Sequence, residues 1–453
     1  MKSFDLIVIG AGSGLNVSSA AAERGLKVAV VEKGPMGGTC LNRGCIPSKI
    51  IIHSADVAET IKRSRLFGIT SKITSIDFKK IISRASGIVD TDAKEIEQGI
   101  IQDKNTTLFK TEAKFVAERT LKVGEETIKG DKVVIAAGTR PSIPEIEGLC
   151  KVDFMTSDEA LRLKKQPRVM TILGGGYIAA ELAHFYGALG TKINIVQRGK
   201  LLTPNEDEEI AATFTEILRK KYNVLTEFDA KEVSKKGNKY LVAVQSKKAK
   251  KKLISDQLLV ATGRIPNTNI LGVEKGNVEI DEKGFIKTNE FLETTAKNTW
   301  ALGDIVGKYL FKHSANLESE YVYTNAVIGK RVKANYDAMP HAIFSSPQIA
   351  GVGLREQDLI EKKIDYSVGK YKYIDSGMGT ALQDREGFVK ILADRKTRKI
   401  LGCHILGTDA STLIHEIVVA MKAGLPADAI SDAVHVHPAL SEVVQRAVNS
   451  IEW

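Results

Sequence analysis

Two cysteines, Cys40 and Cys45, stand in GGTCLNRGCIPSK at 37 to 49 with four residues between them. The Ile46-Pro47 step predicts a helix starting there, because proline suits a first turn. Cys45 then lies at the positive end of a helix dipole, with Lys49 one turn later. Both features favour a thiolate, the form in which cysteine donates electrons. The competing reading is a structural disulfide or two idle thiols. Four cysteines are too few for a disulfide framework in 453 residues, so a close pair points to chemistry. Cys150 and Cys403 have no comparable setting and are expected to be packing residues. His437 and Glu442 in HVHPALSE offer a histidine oriented by a carboxylate, a suitable acid–base partner for a thiol. A histidine near a C-terminus is, by itself, more often structural. The eight histidines otherwise show no metal-ligand spacing, and no metal is expected.

Thiols that pass electrons need a carrier, and the chain opens with a segment suited to binding one. FDLIVIG reads as a strand, AGSGLNVSSAAAERG as a glycine turn and helix, and LKVAVVE as a second strand. Gly10 and Gly12, with Gly14 beside them, allow a tight turn and let a pyrophosphate approach backbone N–H groups at the helix's positive end. Glu32 ends the second strand about 20 residues on, where a carboxylate bonds the ribose hydroxyls of an adenosine half. Leu15 occupies the third glycine position, so helix and strand are expected to pack less closely there. A second copy of the pattern spans 168 to 197, with its turn at Gly174, Gly176 and Ala179. Two dinucleotides are implied. The second copy's last strand ends at Gln197, followed by Arg198 and Lys200, where an acid would select NAD and an arginine would suit the 2′-phosphate of NADP. This departure leans toward NADP(H) over NAD(H); the plain reading is that both cations face solvent.

These elements predict an α/β chain with two Rossmann-like dinucleotide-binding domains and a C-terminal α+β domain. The expected boundaries are 1–143 for the first part of an FAD-binding domain, 144–267 for the NAD(P)-binding domain, 268–335 for a return to the first, and 336–453 for the last. Hydrophobic content of 43% and charged content of 26% are ordinary for a soluble protein, and no apolar run approaches the roughly 20 residues of a membrane span. The opening MKSFDLIVIGAG shows no export signal, so a cytoplasmic location is expected. The formal charge of +10 includes the run KKAKKK at 247 to 252. It lies between strand-like stretches without interleaved aromatics, which reads as a solvated hairpin and not a nucleic-acid surface.

GGTCLNRGCIPSK resembles the active-site signature of the class I pyridine nucleotide-disulfide oxidoreductases, the family of dihydrolipoamide dehydrogenase, glutathione reductase, mycothione reductase and mercuric reductase. The FAD turn, GGGYIAAE, ATGRIPN, WALGDIVG and HVHPALSE all occur in family order, so the resemblance spans essentially the whole chain. It implies FAD and a nicotinamide cofactor, with Cys40 as the interchange thiol and Cys45 as the thiol against the flavin. It makes Asp304 a ligand of the FAD ribityl or pyrophosphate region and pairs Lys49 with Glu181 beside flavin N5. Expected cofactor contacts extend to Lys33, Gly38, Thr39, Gly138, Tyr177, Ile178 and Gly263. The C-terminal domain becomes a dimerisation domain, in which His437 of a homodimer serves the Cys40 of the other subunit.

HVHPALSE is similar to the terminal motif of dihydrolipoamide dehydrogenases, whereas YLFKHSANLESEYVYTNAV, FSSPQIAGVGL and the missing glycine at Leu15 look more like mycothione reductases. The lysine- and isoleucine-rich composition weighs against mycothione itself, and the terminal VQRAVNSIEW lacks the cysteine pair of mercuric reductases. A dihydrolipoamide dehydrogenase-like enzyme is the leading expectation, with a lipoyl domain of a 2-oxoacid dehydrogenase complex as a partner. An NADPH-dependent reductase of small disulfides is the close alternative. A silent flavoprotein scaffold is disfavoured, because both thiols, Lys49, Glu181 and the His437–Glu442 pair are retained.

Overall fold

The first strand, Lys2–Ile9, is buried on both faces from Leu6 to Ile9, as in a parallel sheet covered by helices. In the computed structural model, which describes residues 1–453, it pairs in parallel with Val28–Val31 on one side and Glu126–Ile135 on the other. Thr106–Phe109 extends the sheet beyond Val28–Val31, and Thr299–Ala301 pairs in parallel with Glu126–Ile135. Antiparallel strands Thr120–Val123 and Ala113–Ala117 complete seven strands. With the first strand central, the turn after it falls where a doubly wound sheet binds dinucleotides. This sheet belongs to a unit made of 1–48, 82–142 and 263–336.

Helix Gly14–Glu23 buries Val17, Ala21 and Ala22 in one apolar cluster with Val8, Val28 and Val30. The expected loosening at Leu15 is not found. Close approach is made one residue earlier, at Gly14, where an added Cβ would stand 2.9 Å from both Val8 Cγ1 and Ala136 Cβ. Leu15 itself packs, partly buried, against the same cluster.

A second unit comprises 49–81, 143–262 and 337–453. It holds a four-stranded parallel sheet in the order Asn223–Thr226, Lys192–Gln197, Val169–Leu173, Gln257–Val260, which repeats the dinucleotide arrangement around helix Tyr177–Ala188. Three antiparallel strands follow Thr226, and the lysine run forms the turn into the last of them, Lys250–Ser255, with Lys250, Lys251 and Lys252 exposed. Residues from Pro340 onward build a five-stranded antiparallel sheet backed by helices Ala410–Lys422 and Ser441–Asn449. Cys403 is fully buried in its core, beside Val389, Ile391 and Ile405. Cys150 is exposed instead of packed, because its single helical turn, Leu149–Lys151, buries only Leu149. No helix is long and apolar enough to cross a membrane.

Candidate active site

Gly37 and Gly38 take left-handed φ of +91° and +64°, turning the chain into the short helix Gly38–Arg43 that carries Cys40. A Cβ on Gly38 would stand 2.7 Å from Gly12 Cα, so this helix meets the first glycine turn backbone to backbone. Buried Asn42 holds the preceding loop by donating to the carbonyls of Met36 (2.7 Å) and Gly38 (3.0 Å). Gly44 breaks the helix, and the next, Cys45–Arg63, begins at Cys45 itself, just before the predicted start at Ile46 or Pro47. Cys40 and Cys45 are half-buried thiols not joined by a disulfide. Hydrogen bonding to Cys45, then burial, then the negative charge on Cys45 push the Cys40 thiol far up, while Lys312 pulls it down.

In the adjoining turn, Glu32 accepts the N–H of Ala11 at 2.9 Å and of Gly34 at 2.7 Å. Helix Gly14–Glu23 has no side-chain cap, so no side chain of its own covers the positive end of its dipole. Asp304 accepts from Thr139 Oγ1 at 2.9 Å, and Arg264 clamps Thr139 through Nε and Nη2 at 2.7 and 2.9 Å. Burial raises the Asp304 carboxyl, opposed by Thr139 and Arg264. Gly138 sits at φ +61° with open space beside it. Glycine turn, uncapped helix and inward carboxylates together fit a dinucleotide such as FAD. Of the other expected contacts, Lys33 pairs with Glu112 at 2.8 Å and Thr39, beside Cys40, is exposed.

In the second unit, Gly174 turns at φ +110°, and a Cβ there would strike the Ala261 carbonyl at 2.1 Å. Gly176 opens onto free space at the uncapped start of Tyr177–Ala188, with Tyr177 exposed and Ile178 half-buried. This turn, too, fits a dinucleotide phosphate. The Gln197 side chain leans on Gly175 and donates to Leu201 O at 3.2 Å, while Arg198 and Lys200 are exposed. Gly263 has φ +117° and open space around it. Lys49 Nζ lies 2.9 Å from each oxygen of Glu181, which also accepts the N–H of Phe344 at 3.0 Å. The Lys49 charge is thus matched by a carboxylate.

His437 Nδ1 and Glu442 Oε1 are 2.9 Å apart, and Ala439 N–H donates to Oε2 at 3.0 Å. These two contacts, the histidine's first, hold the Glu442 carboxyl below its ordinary pKa. With Nδ1 donating to the carboxylate, Nε2 is the basic atom and belongs to a side chain 73% exposed. Val434 and Val436 beside it are exposed as well. His435 is engaged internally, bonded to Glu416 at 2.7 Å. Two charged residues, Lys312 and Glu318, were not singled out by the sequence reading. Lys312 donates to Ser13 Oγ at 2.8 Å, and Glu318 accepts from Gly303 N–H and Tyr336 Oη.

Residues 4–327 match the family described as pyridine nucleotide-disulphide oxidoreductase, and residues 339–448 match its dimerisation domain. The chain belongs to this family. The oxidoreductases most similar to it include mycothione reductase of Mycobacterium tuberculosis (strain ATCC 25618 / H37Rv), 35% identical over 99% of both chains. Dihydrolipoyl dehydrogenase of Bacillus subtilis (strain 168) is 32% identical over 98% of this chain and 95% of its own. Among solved structures, the HOCl-induced flavoprotein disulfide reductase RclA from Escherichia coli superposes with a TM-score of 0.88 at 28% identity, covering 98% of this chain and 99% of RclA. The protein is accordingly an FAD- and NAD(P)H-using flavoprotein disulfide oxidoreductase, and its dimerisation domain supports a homodimer.

Proposed function

We propose that this oxidoreductase passes electrons from NADPH, through FAD and the Cys40–Cys45 pair, to a low-molecular-weight disulfide. The observation that carries the choice is the end of strand Lys192–Gln197: an amide stands where an acid would select NAD, and exposed Arg198 and Lys200 follow it. Identity to mycothione reductase across the chain's whole length supports the same direction. In this reading 1–143 and 268–335 hold FAD, 144–267 hold the nicotinamide, and 336–453 form the dimer contact. Gly10, Gly12, Glu32 and Asp304 bind FAD; Gly174, Gly176 and Arg198 bind NADPH; Lys49 and Glu181 stand beside the flavin. Four cysteines, too few for a disulfide framework in 453 residues, suit a reducing compartment, the cytoplasm.

Bound FAD supplies a two-electron carrier between the nicotinamide and the cysteines. The protein's residues do the rest. Cys40, as a thiolate, attacks one sulfur of the substrate disulfide, and the leaving thiolate takes a proton from the partner subunit's His437. Cys45 then attacks Cys40, forming the internal disulfide and releasing the second substrate thiol. Glu442 keeps the imidazole in the tautomer that can receive the Cys40 proton and return it.

The second reading is oxidation of dihydrolipoamide, bound to a lipoyl domain, with NAD. It is favoured by the HVHPALSE motif and by the dihydrolipoyl dehydrogenase relatives. Steady-state kcat/KM for NADPH and NADH with a panel of small disulfides, beside dihydrolipoamide with NAD, separates the two. The proposal expects NADPH with a small disulfide to be the more efficient pairing. Preference for NAD and dihydrolipoamide by a hundredfold would overturn it.

A further inference from the structure

Lys49 and Asp56, seven residues apart, lie on one stripe of helix Cys45–Arg63, and Lys62 reaches out from its last turn. All three meet helix Tyr177–Ala188. Lys49 Nζ lies 2.9 Å from both oxygens of Glu181, Asp56 Oδ1 lies 2.7 Å from His184 Nε2, and Lys62 donates to Ala188 O at 2.5 Å. The outer contacts end in ammonium groups on flexible stems, which follow a shifting partner without fixing it. The middle one is stiffer. His184 is 1% exposed, and its planar ring bonds through one edge only, since Nδ1 meets no partner. A carboxylate only accepts, so Nε2 carries the proton and points at Asp56. Burial alone does not call for a histidine here: Phe185 and Tyr186 already pack the helix against Phe78, with ring centroids 5.9 and 6.0 Å away. A histidine in place of an apolar side chain leaves Nδ1 unsatisfied, and what it adds is direction.

We propose that His184 and Asp56 are positioning residues for hydride transfer from the reduced nicotinamide to the flavin: their bond sets the register of the two helices, and so the geometry of the Lys49–Glu181 pair. This rests on the reading that Lys49 and Glu181 stand beside the flavin. Glu181 lies one turn before His184 on one helix, and Lys49 two turns before Asp56 on the other. Fixing the second pair therefore fixes rotation and sliding at the first. Glu181 accepts from Lys49 and from the Phe344 N–H together, so a shift of either helix would break a matched set of contacts. Hydride transfer tolerates little of that, because rates fall steeply when reacting groups are displaced by about 1 Å. Neither His184 nor Asp56 exchanges a proton with substrate; both act through Lys49 and Glu181.

The test follows flavin absorbance in stopped flow as NADPH or NADH, whichever the wild type prefers, reduces the FAD-loaded enzyme. Thiol–disulfide exchange of the reduced enzyme with a small disulfide is measured beside it. His184→Phe and Asp56→Ala should each slow flavin reduction about ten- to a hundredfold, as a small misplacement does, while nucleotide affinity and thiol exchange stay within about threefold. Nucleotide deuterated at the transferred position should keep its isotope effect in both variants, marking hydride transfer as the slowed step. His184→Gln, which returns a donor toward Asp56, should recover to within about threefold of wild type. A second readout needs no turnover: in thermal melting, Asp56→Ala should lower Tm by no more than about half as much in the Lys49→Met background as alone, because the two pairs share one register. Wild-type flavin reduction in either variant, no recovery in His184→Gln, additive Tm shifts, or equal slowing of both half-reactions, as general loosening gives, overturns the proposal. The Asp56 side chain is half-exposed, so Asp56→Ala carries the test should His184→Phe not fold. Failure of the underlying reading looks different: Lys49→Met would itself leave flavin reduction by the nucleotide unchanged.

Discussion

Lys390 and Asp207 form an ion pair sealed from water, with Nζ 2.9 Å from Oδ1 and side-chain exposures of 2% and 0%. Asp207 also accepts the N–H groups of Glu209 and Glu356, while Lys390 reaches Glu356 at 2.7 Å. The network ties the start of helix Glu208–Lys221 to the C-terminal sheet of the same unit. Burial opposes ionisation of Asp207, yet the Lys390 hydrogen bond and His404 hold its pKa below the ordinary value. Burial likewise opposes the charge on Lys390, and Glu356 and Asp207 outweigh it to raise its pKa. Asp207 therefore contributes stability above its unfolded pKa that is lost as pH falls through the lower folded value. Lys390 contributes stability below its unfolded pKa that is lost as pH rises through the higher one. Lys390→Met should cost roughly 3 to 5 kcal/mol by leaving a buried charge unpaired. Chemical denaturation at neutral pH measures it, and a loss below about 1 kcal/mol would contradict the account.

Glu318 is 1% exposed and accepts Gly303 N–H at 2.5 Å and Tyr336 Oη at 2.8 Å. Burial drives its pKa up to about 7 against those two donors, with Asp304 adding to the rise. The stability this carboxyl contributes is complete below its unfolded pKa and declines as pH rises through about 7. Wild-type thermal stability should fall from pH 5.5 to 8 more steeply than that of Glu318→Gln. Parallel melting curves across that range would refute the assignment. Glu318→Ala should cost about 1 to 3 kcal/mol per donor left unpaired.

The place of Cys45 at the start of helix Cys45–Arg63, as the thiol against the flavin, predicts the spectrum. Two-electron reduction should give a long-wavelength thiolate–flavin band; Cys45→Ser should abolish it with FAD still bound, and Cys40→Ser should keep it. Absence of the band in Cys40→Ser at neutral pH would reverse the roles of the two sulfurs.

His437→Gln should slow thiol–disulfide exchange by about 100- to 10,000-fold, the usual range for a general acid–base group, while flavin reduction by the nicotinamide stays fast. Mixing inactive Cys40→Ser with inactive His437→Gln subunits makes hybrid dimers with one intact site. Activity should return to as much as half the wild-type value per hybrid. No recovery after demonstrated subunit exchange would mean that each chain uses its own histidine.

Removing Arg198 should weaken NADPH binding by roughly 1.5 to 3 kcal/mol and leave NADH binding nearly unchanged, since only the 2′-phosphate offers it a charge-assisted bond. Equal losses for both nucleotides, measured by titration, would remove Arg198 from the selecting role.

The sequence by itself determined the α/β class, the two strand–glycine–helix–strand units and their order along the chain. These follow from local physics: apolar periodicity selects strand or helix within a few residues, and glycine alone accommodates turns such as that at Gly10, whose φ is +101°. The cysteine pair was equally legible, because its chemistry depends on four intervening residues and the start of one helix. Lys49 follows Cys45 closely enough to suggest an electrostatic partner and pairs with Glu181, as the resemblance implied, whereas the seating of Lys312 on Ser13 of the first glycine turn was decided by the tertiary structure. Close packing at Gly14 in place of position 15, and the burial of Lys390 against Asp207, were likewise settled by tertiary structure. Spacing along a chain constrains partners only within a turn or a hairpin. Beyond that range a charge's partner is whichever group packing brings near it, in the low-dielectric interior where that partner decides whether the charge can exist.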